Sequence, residues 1–383
     1  MSNSKMFDYI IIGAGAAGLM LADAMGKDVF FSNKSILLLD KDPKNTNDRT
    51  WCFWEKGNGA FDPIVDRIWP KVFFGGKTHS KTYDIAPYSY KMIKGITFYK
   101  TYKERLQGYS NIVFEQEEVL RAEDHGTKVT VTTVDGTYSA KKVFNSIFDY
   151  KMITAQQKYP VLQQHFVGWY VKTENPIFRT DTATYMDFAI PQKGNTRFMY
   201  ILPFSENEAL VEYTLFSEKR LPLNAYETAL QAYLKNNLGS GEYEITDVEK
   251  GSIPMTAYEF REHHTKNMRY IGTAGGWAKP STGYTFLSTA KKIPRLLEYI
   301  KSGADLRKLR YRNKFWYYDL LLLDVLSHDN SIGQSVFETL FKNRSPQFIF
   351  KFLDEETNFF EDVRYMTSVK SGPFIKAIIR RLF

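Results

Sequence analysis

Cysteine is all but missing: Cys52 is alone among 383 residues. No internal disulfide can form and no thiolate metal cluster can be built, which fits a reducing cytoplasm. The six histidines show no HExxH or similar ligand spacing, and His263 and His264 are adjacent, as in a solvated loop. No metal site is expected. No window approaches the roughly 18 apolar residues of a spanning helix, and the first residues lack the apolar core of a secretory signal. The chain is therefore expected to be cytoplasmic and not to cross the membrane. A net charge of +8 is spread along the chain. With no compact basic block and no nucleic-acid motif, nucleic acid is not an expected partner. Repeats and low-complexity linkers are absent as well.

Aromatic residues, by contrast, are plentiful, with 25 Tyr and 29 Phe. Such a surplus lines an apolar ligand cavity or simply fills a core. The hydrophobic share of 43% is enough for two packed lobes. The segment FDYIIIGAGAAGLMLADAM opens with an apolar run, residues 9–12, read as a buried parallel strand. Gly13, Gly15 and Gly18 then spell GxGxxG at the start of a small-residue helix. A second strand, 35–39, ends at Asp40, about 20 residues after the last glycine. This is the dinucleotide fingerprint in full context. The first glycine permits the tight turn, the second admits a pyrophosphate, the third lets helix and strand pack closely, and the acid takes a ribose hydroxyl.

After Asp40 the chain is polar and then abruptly aromatic, which suggests a long loop. Arg49 is placed there to approach a cofactor phosphate, and Trp51 and Trp54 to wall a pocket. A surface arginine and a local apolar cluster are the plainer alternative. Strands are expected at 112–114 and 128–133, with another after the Asp135-Gly136 turn. Between 160 and 217 the pattern turns to period two over four segments, predicting an antiparallel sheet. Residues 225–237 look helical, and 251–256 read as a strand or turn leading back. MRYIGTAGG reads as strand, glycine turn and helix start. In many FAD enzymes an aspartate follows the first glycine of that turn; here Thr273 stands in its place. Gly272, Thr273 and Gly275 are cofactor candidates, with either the Thr273 hydroxyl or a backbone amide doing the holding. Lys279 is placed near a cofactor or on the surface. The tail from 289 onward is mostly helical. The expected fold is α/β: a Rossmann-like dinucleotide domain (1–150 with 251–300), an antiparallel-sheet substrate domain (151–250) and a helical C-terminal region (301–383).

In this order GAGAAG, NDRTWCFW, HFVGWYV, YMDF, LVEYT, GSIPMT, TAGGWAKPSTGYTF and FLDEETN resemble motifs of the flavin-dependent lycopene cyclases of bacteria. They span nearly the whole chain, and RTWCFW and KPSTGYTF are the most specific. The resemblance implies a fold like that of FAD-containing hydroxylases and geranylgeranyl reductases. It also implies cyclisation of the ends of lycopene into ionone rings. The cofactor would be FAD, active in its reduced form without net redox change, with NAD(P)H as an external reductant. The family's carboxylate motif commonly sets a second acid directly after the first, but here Tyr213 follows Glu212.

Ring closure of a polyene end needs a proton delivered to an alkene, attack by a neighbouring double bond, and loss of a proton. An alkene is a very poor base, so the site needs a protonated acid in a dry pocket beside something electron-rich. In ALVEYTLF, alternation sets Glu212 among Leu210, Thr214 and Phe216 on one strand face. Burial of that face would keep its carboxyl protonated near neutral pH. Asp187, in YMDF, is a second acid candidate. Trp51, Trp54, Trp277 and Tyr284 are candidates to face the cation. A peripheral membrane partner, on the inner face, follows from a long apolar carotenoid substrate. Residues 315–323 and 374–383, with Lys376, Arg380 and Arg381, are the expected anchors. A redox rival remains open on the same fold: an FAD-dependent monooxygenase or polyene reductase acting on an apolar isoprenoid.

Overall fold

The structure is a computed structural model, and it describes residues 5–382. In chain order the strands are β1 (Lys5–Ile12), β2 (Ile36–Asp40), β3 (Thr50–Lys56), β4 (Arg67–Trp69), β5 (Lys71–Gly75) and β6 (Lys81–Asp84). Next come β7 (Tyr88–Lys94), β8 (Ile112–Gln116), β9 (Val119–Asp124), β10 (Val129–Thr133), β11 (Thr137–Asn145) and β12 (Leu162–Thr173). The last five are β13 (Thr182–Asp187), β14 (Thr196–Pro203), β15 (Glu208–Ser217), β16 (Tyr243–Met255) and β17 (Met268–Tyr270). The α-helices are α1 (Ala16–Lys27), α2 (Gly95–Gln107), α3 (Lys151–Thr154), α4 (Leu223–Asn236) and α5 (Phe286–Lys301). The tail holds α6 (Lys314–His328), α7 (Gly333–Asn343), α8 (Pro346–Leu353), α9 (Phe359–Met366) and α10 (Ser371–Leu382).

Two lobes result. The first combines Met1–Trp51, Ile93–Gln157 and Ala257–Asn313, and the second Cys52–Met92, Lys158–Thr256 and Lys314–Phe383. This differs from the three-part plan read from the sequence. Residues 52–92 leave the nucleotide lobe, and the helical tail from Lys314 joins the sheet lobe rather than standing apart.

The sheet of the first lobe runs β8-β2-β1-β11-β10-β9, with β17 also pairing β11. Strands β8, β2, β1, β11 and β17 are parallel to one another. Ile10, Ile11 and Ile12 are all fully buried, because a parallel strand covered on both faces has no polar side to show. Ile10, Ile12, Leu37 and Leu39 share one core with Val129, Val131 and Val143. Leu19, Leu21, Ala22 and Met25 of α1 are buried too.

The second lobe is built on a sheet ordered β16-β12-β15-β14-β13-β5-β6, antiparallel except where β5 meets β13. One face is sealed by α4, whose Tyr226, Leu230, Tyr233 and Leu234 pack against Val167, Met199, Val211 and Tyr213. The period-two expectation for 160–217 is met by β12 to β15. The long loop expected after Asp40 is shorter than read, since residues 50–56 form β3. The strand read at 251–256 begins at Tyr243, earlier than its composition suggested.

Candidate functional site

The glycine loop follows β1 in the first lobe. Gly13 turns at φ +94°, a conformation open to glycine, and its N–H donates to Leu39 O at 2.7 Å. A β-carbon on Gly18 would lie 1.9 Å from Gly13 O, so this helix can approach this strand only without a side chain. Around Gly15 a β-carbon would meet nothing within 4 Å. Gly15 also caps α1 without a side-chain hydrogen bond. Open space thus lies over a helix start whose first N–H groups have no side-chain partner, and this is the cradle a pyrophosphate fits. Asp40, at the end of β2, accepts from Ala14 N at 2.5 Å and from Asp42 N at 2.8 Å, which fixes its carboxylate beside the loop. The loop after β17 comes to the same helix: a β-carbon on Gly272 would lie 2.8 Å from Ala17 Cβ. Gly275 closes that turn through its N–H to Ile271 O, and Thr273 is half-buried within it. Gly13, Gly15, Gly18, Asp40, Gly272, Thr273 and Gly275 are therefore gathered in one lobe, and the residues fit a dinucleotide.

The remaining candidates of this lobe are placed otherwise. The Arg49 side chain is 64% exposed and has Asp48 at 3.6 Å, while its carbonyl accepts from Gly95 N. Trp51 packs against Phe98, Tyr99 and Phe286. Trp277 is buried edge-on against Tyr311. Tyr284 is half-buried, its carbonyl accepting from Lys279 N. Lys279 is buried rather than on the surface.

In the second lobe Glu212 is 8% exposed at the middle of β15. Directly opposite residues of adjacent strands share a face. The register sets Glu249, Gly168, Glu212 and Tyr200 in one row across β16, β12, β15 and β14. Gly168 leaves room in that row: a β-carbon there would lie 3.4 Å from Glu212 Cβ and 2.8 Å from Leu210 Cδ1. Thr214 Oγ1 donates to Glu212 Oε1. Burial, aided by the charge of Glu249, pushes the Glu212 carboxyl up to about 8 despite that hydrogen bond. Tyr200 OH and Tyr90 OH are 2.7 Å apart, and both act on the Cys52 thiol. Burial pushes this thiol up to about 12, so it is an inert neutral group and not a nucleophile.

From Tyr90 an aromatic wall continues. Tyr185 meets Tyr90 edge-on, Trp54 meets Tyr185, and Trp54 stacks on Phe350 at 4.8 Å. Strand alternation along β3 explains why Trp54 and Cys52 join this wall while Trp51 does not. The expectation that Trp51 and Trp54 wall one pocket is corrected accordingly.

Asp187 requires a second correction. It pairs with Met199, and Met199 with Tyr213, which fixes it on the α4 face of the sheet, opposite to Glu212. There it accepts from Tyr233 OH at 2.5 Å and Ala189 N at 2.9 Å, as a buried carboxylate holding a helix to a sheet. Sequence reading also passed over Glu249, which lies on the edge strand β16.

Comparison with known proteins gives the chain its relatives. Residues 8–379 match the family model described as lycopene cyclase protein. The chain is 26% identical over 325 residues to a chloroplastic neoxanthin synthase of Solanum tuberosum, across 79% of this chain and 62% of that protein. It is 24% identical to the chloroplastic lycopene beta cyclase of Arabidopsis thaliana, across 76% and 60%. A Paracoccus lycopene beta-cyclase is 30% identical over 127 residues, 32% of each chain. The chain thus spans about three fifths of the length of the plant relatives it matches. Among solved structures it resembles a geranylgeranyl bacteriochlorophyll reductase-like protein of Thermoplasma acidophilum, with a TM-score of 0.61, 12% identity and coverage of 99% and 100%. A flavin-dependent brominase follows with a TM-score of 0.58, 15% identity and coverage of 98% and 99%. At these identities the structural likeness establishes the fold, which is the α/β flavoprotein architecture expected. The family match covers nearly the whole sequence, and the chain belongs to the lycopene cyclase protein family.

Proposed function

We propose that this protein cyclises the acyclic ends of lycopene to β-ionone rings in carotenoid biosynthesis, an intramolecular lyase or isomerase reaction without net redox change. The observation that carries the reading is Glu212: a buried carboxyl that keeps its proton near neutral pH, set beside apolar and aromatic side chains. Such a group can donate to an alkene, which an ionised surface carboxylate cannot. Tyr200, Tyr90, Tyr185 and Trp54 present an electron-rich wall on the same side of the sheet, suited to a carbocation. Dryness there follows from burial, and it keeps water from capturing the cation.

FAD is the proposed cofactor, held by Gly13, Gly15, Gly18 and Asp40, with Gly272, Thr273 and Gly275 at the second loop. When bound in its reduced form it supplies negative charge to a developing cation. Asp40 takes the ribose hydroxyls, and the N–H groups at the start of α1 take the pyrophosphate. A single dinucleotide fingerprint supports NAD(P)H as a reductant that visits and does not reside.

The substrate is a long hydrocarbon, so access from a bilayer surface belongs to the same reading. Among the described residues no helix is long and apolar enough to cross a membrane. Helix α9 exposes Phe359 (67%), Phe360 (82%) and Val363, and α10 exposes Ile375, Ile379 and Leu382, each set along one helix face. Arg364, Lys370, Lys376 and Arg380 are exposed among them, which suits anionic lipid. The anchor expected at 315–323 is withdrawn, since Phe315, Leu320, Leu321 and Leu323 are buried. Arg381 is bound to Asp324 through two hydrogen bonds, and Phe383 lies outside the described residues.

The test is a pigment extract from lycopene-producing cells expressing the chain, followed by anaerobic assay of purified protein pre-reduced with dithionite. Cyclised product over many turnovers without nicotinamide supports the reading. An absolute need for oxygen, or NAD(P)H oxidised in step with product, would place the protein among redox enzymes.

A further inference from the structure

We infer that Glu249 is a positioning residue for Glu212: standing across Gly168 on the same sheet face, its carboxylate holds the Glu212 carboxyl in the protonated state the reaction uses. The inference rests on the function proposed above and adds to it a residue outside every motif of the sequence.

The geometry comes from the register. β12 lies between β15 and β16, and Gly168 pairs with Glu212 on one side and Glu249 on the other. Adjacent strands are about 4.8 Å apart, so the two glutamate backbones are separated by about 10 Å. Across that gap the Glu249 charge acts on the Glu212 carboxyl. Any side chain at 168 would stand between them, and Gly168 has none. Glu212 packs beside this gap, its Cβ and Cγ 3.4 and 3.5 Å from where an added β-carbon would stand, and Leu210 Cδ1 reaches to 2.8 Å. On the other side, Tyr170 OH donates to Glu249 Oε2 at 3.3 Å.

The two carboxyls differ in surroundings, and that difference assigns the roles. Glu212 is buried, and the groups acting on it are the Thr214 hydroxyl and the Glu249 charge. Glu249 is half-buried on an edge strand and accepts from a phenol, so it is the wetter of the two carboxyls. Two like charges so placed do not both persist, so the proton settles on the drier partner. The other titratable groups facing this row are Cys52 from β3, Tyr90 from β7 and Tyr200 from β14. Burial raises the Cys52 thiol and the Tyr90 phenol, which keeps both neutral. Asp247, the next residue along this face of β16, is exposed and adds negative charge of the same sign.

The cycle balances in protons. Glu212 gives its proton to the terminal alkene, and the ring forms by attack of the neighbouring double bond. The ring then loses one proton, and one proton returns to Glu212. Glu249 makes that return favourable, because its charge raises the proton affinity of the vacated carboxylate.

The experiment compares wild type, E212Q, E249Q and E249D over pH by two readouts. One is the cyclisation rate. The other is the infrared carbonyl band of a protonated carboxyl, assigned to Glu212 by its loss in E212Q, which needs neither substrate nor flavin. In wild type both decline as pH rises through the titration of Glu212. In E249Q the alkaline limb and the band should move to lower pH by about half a unit or more. E249D, which keeps the charge, should stay near wild type. A merely structural role would lower the rate evenly at every pH and leave the band in place, and that result overturns the inference. Glu249→Thr, a strand former, serves as the neutral variant if the amide does not fold. A wild type that leaves lycopene unchanged refutes the proposed function, while the band still decides the pairing.

Discussion

Gly168 and Glu212 face each other across β12 and β15, and Glu212 Cβ lies at van der Waals distance, 3.4 Å, from the place a β-carbon at 168 would take. Gly168→Ala must move Leu210 Cδ1, which would lie 2.8 Å from the new β-carbon, and it brings a methyl group into contact with Glu212. Overpacking of this kind costs about 1–3 kcal/mol. Leu210 shares the strand face of Glu212, so pushing it against the acid should lower the turnover rate by about 10- to 100-fold. Flavin content should be unchanged, since the residues proposed to hold the cofactor lie in the other lobe. Thermal melts and flavin absorbance on one preparation, with turnover measured alongside, check all three.

Glu212→Gln keeps shape but has no transferable proton. Cyclisation should fall by at least about 100-fold. The same exchange at Glu206 or Glu218, exposed at the ends of β15, should do little. The swap also has a signature in stability. A carboxyl raised from 4.5 to about 8 on folding binds its proton in the native state where the unfolded chain has lost it. Wild-type stability therefore declines as pH rises from about 4.5 to about 8 by this term, at about 1.4 kcal/mol per unit of pKa difference. The Gln variant lacks it. Its melting temperature should gain on wild type as pH rises across that window, and equal slopes would show that Glu212 titrates normally.

Gly15→Val and Gly18→Val separate binding from folding. A side chain at 15 enters open space, so that variant should purify folded and free of flavin. At position 18 the β-carbon would strike Gly13 O, so that variant should lose stability first. Full flavin occupancy in folded Gly15→Val would remove the glycine loop from the cofactor site.

Asp187 serves as a structural control. Tyr233→Phe takes away one donor to its carboxylate and should cost about 1 kcal/mol while leaving turnover unchanged. A rate loss comparable to that of Glu212→Gln would bring Asp187 back into the chemistry.

For the membrane face, wild type should float with anionic vesicles in a density gradient. Phe359→Ser with Phe360→Ser should abolish or strongly weaken flotation, and neutral vesicles should hold less protein than anionic ones. Protein that stays at the bottom with anionic vesicles would argue against α9 and α10 as anchors.

What the sequence disclosed, and what it hid, follows burial. Gly13, Gly15, Gly18 and Asp40 were legible because a buried parallel strand, a glycine turn and a spaced acid form one local pattern. The burial of Glu212 was legible because β15 has an acid among apolar neighbours at period two. Asp187 was misread, since alternation shows that a residue faces inward without showing which covered face it joins. Trp51 and Trp54 were read together because a loop was expected where β3 runs, and a strand sends odd and even residues apart. Glu249 was invisible. It lies on an edge strand with Ile245 and Val248 exposed, so no hydrophobic rhythm marks β16 before residue 251. Its partner across Gly168 is remote in sequence, and only pairing brings the two together.

The interleaving of three segments in each lobe governs how the chain can be made and divided. β17 joins the first sheet beside β11 only after most of the chain has been synthesised, and the second glycine loop follows it. The segment that completes the parallel sheet of the first lobe is therefore synthesised after most of the sheet lobe. Contacts so distant in sequence favour slow folding. For the proposed flavin site, cofactor capture is thus a late event, after translation has passed residue 276. A single cut in the chain between residues 52 and 313 severs both lobes, so neither can be obtained by trimming the ends.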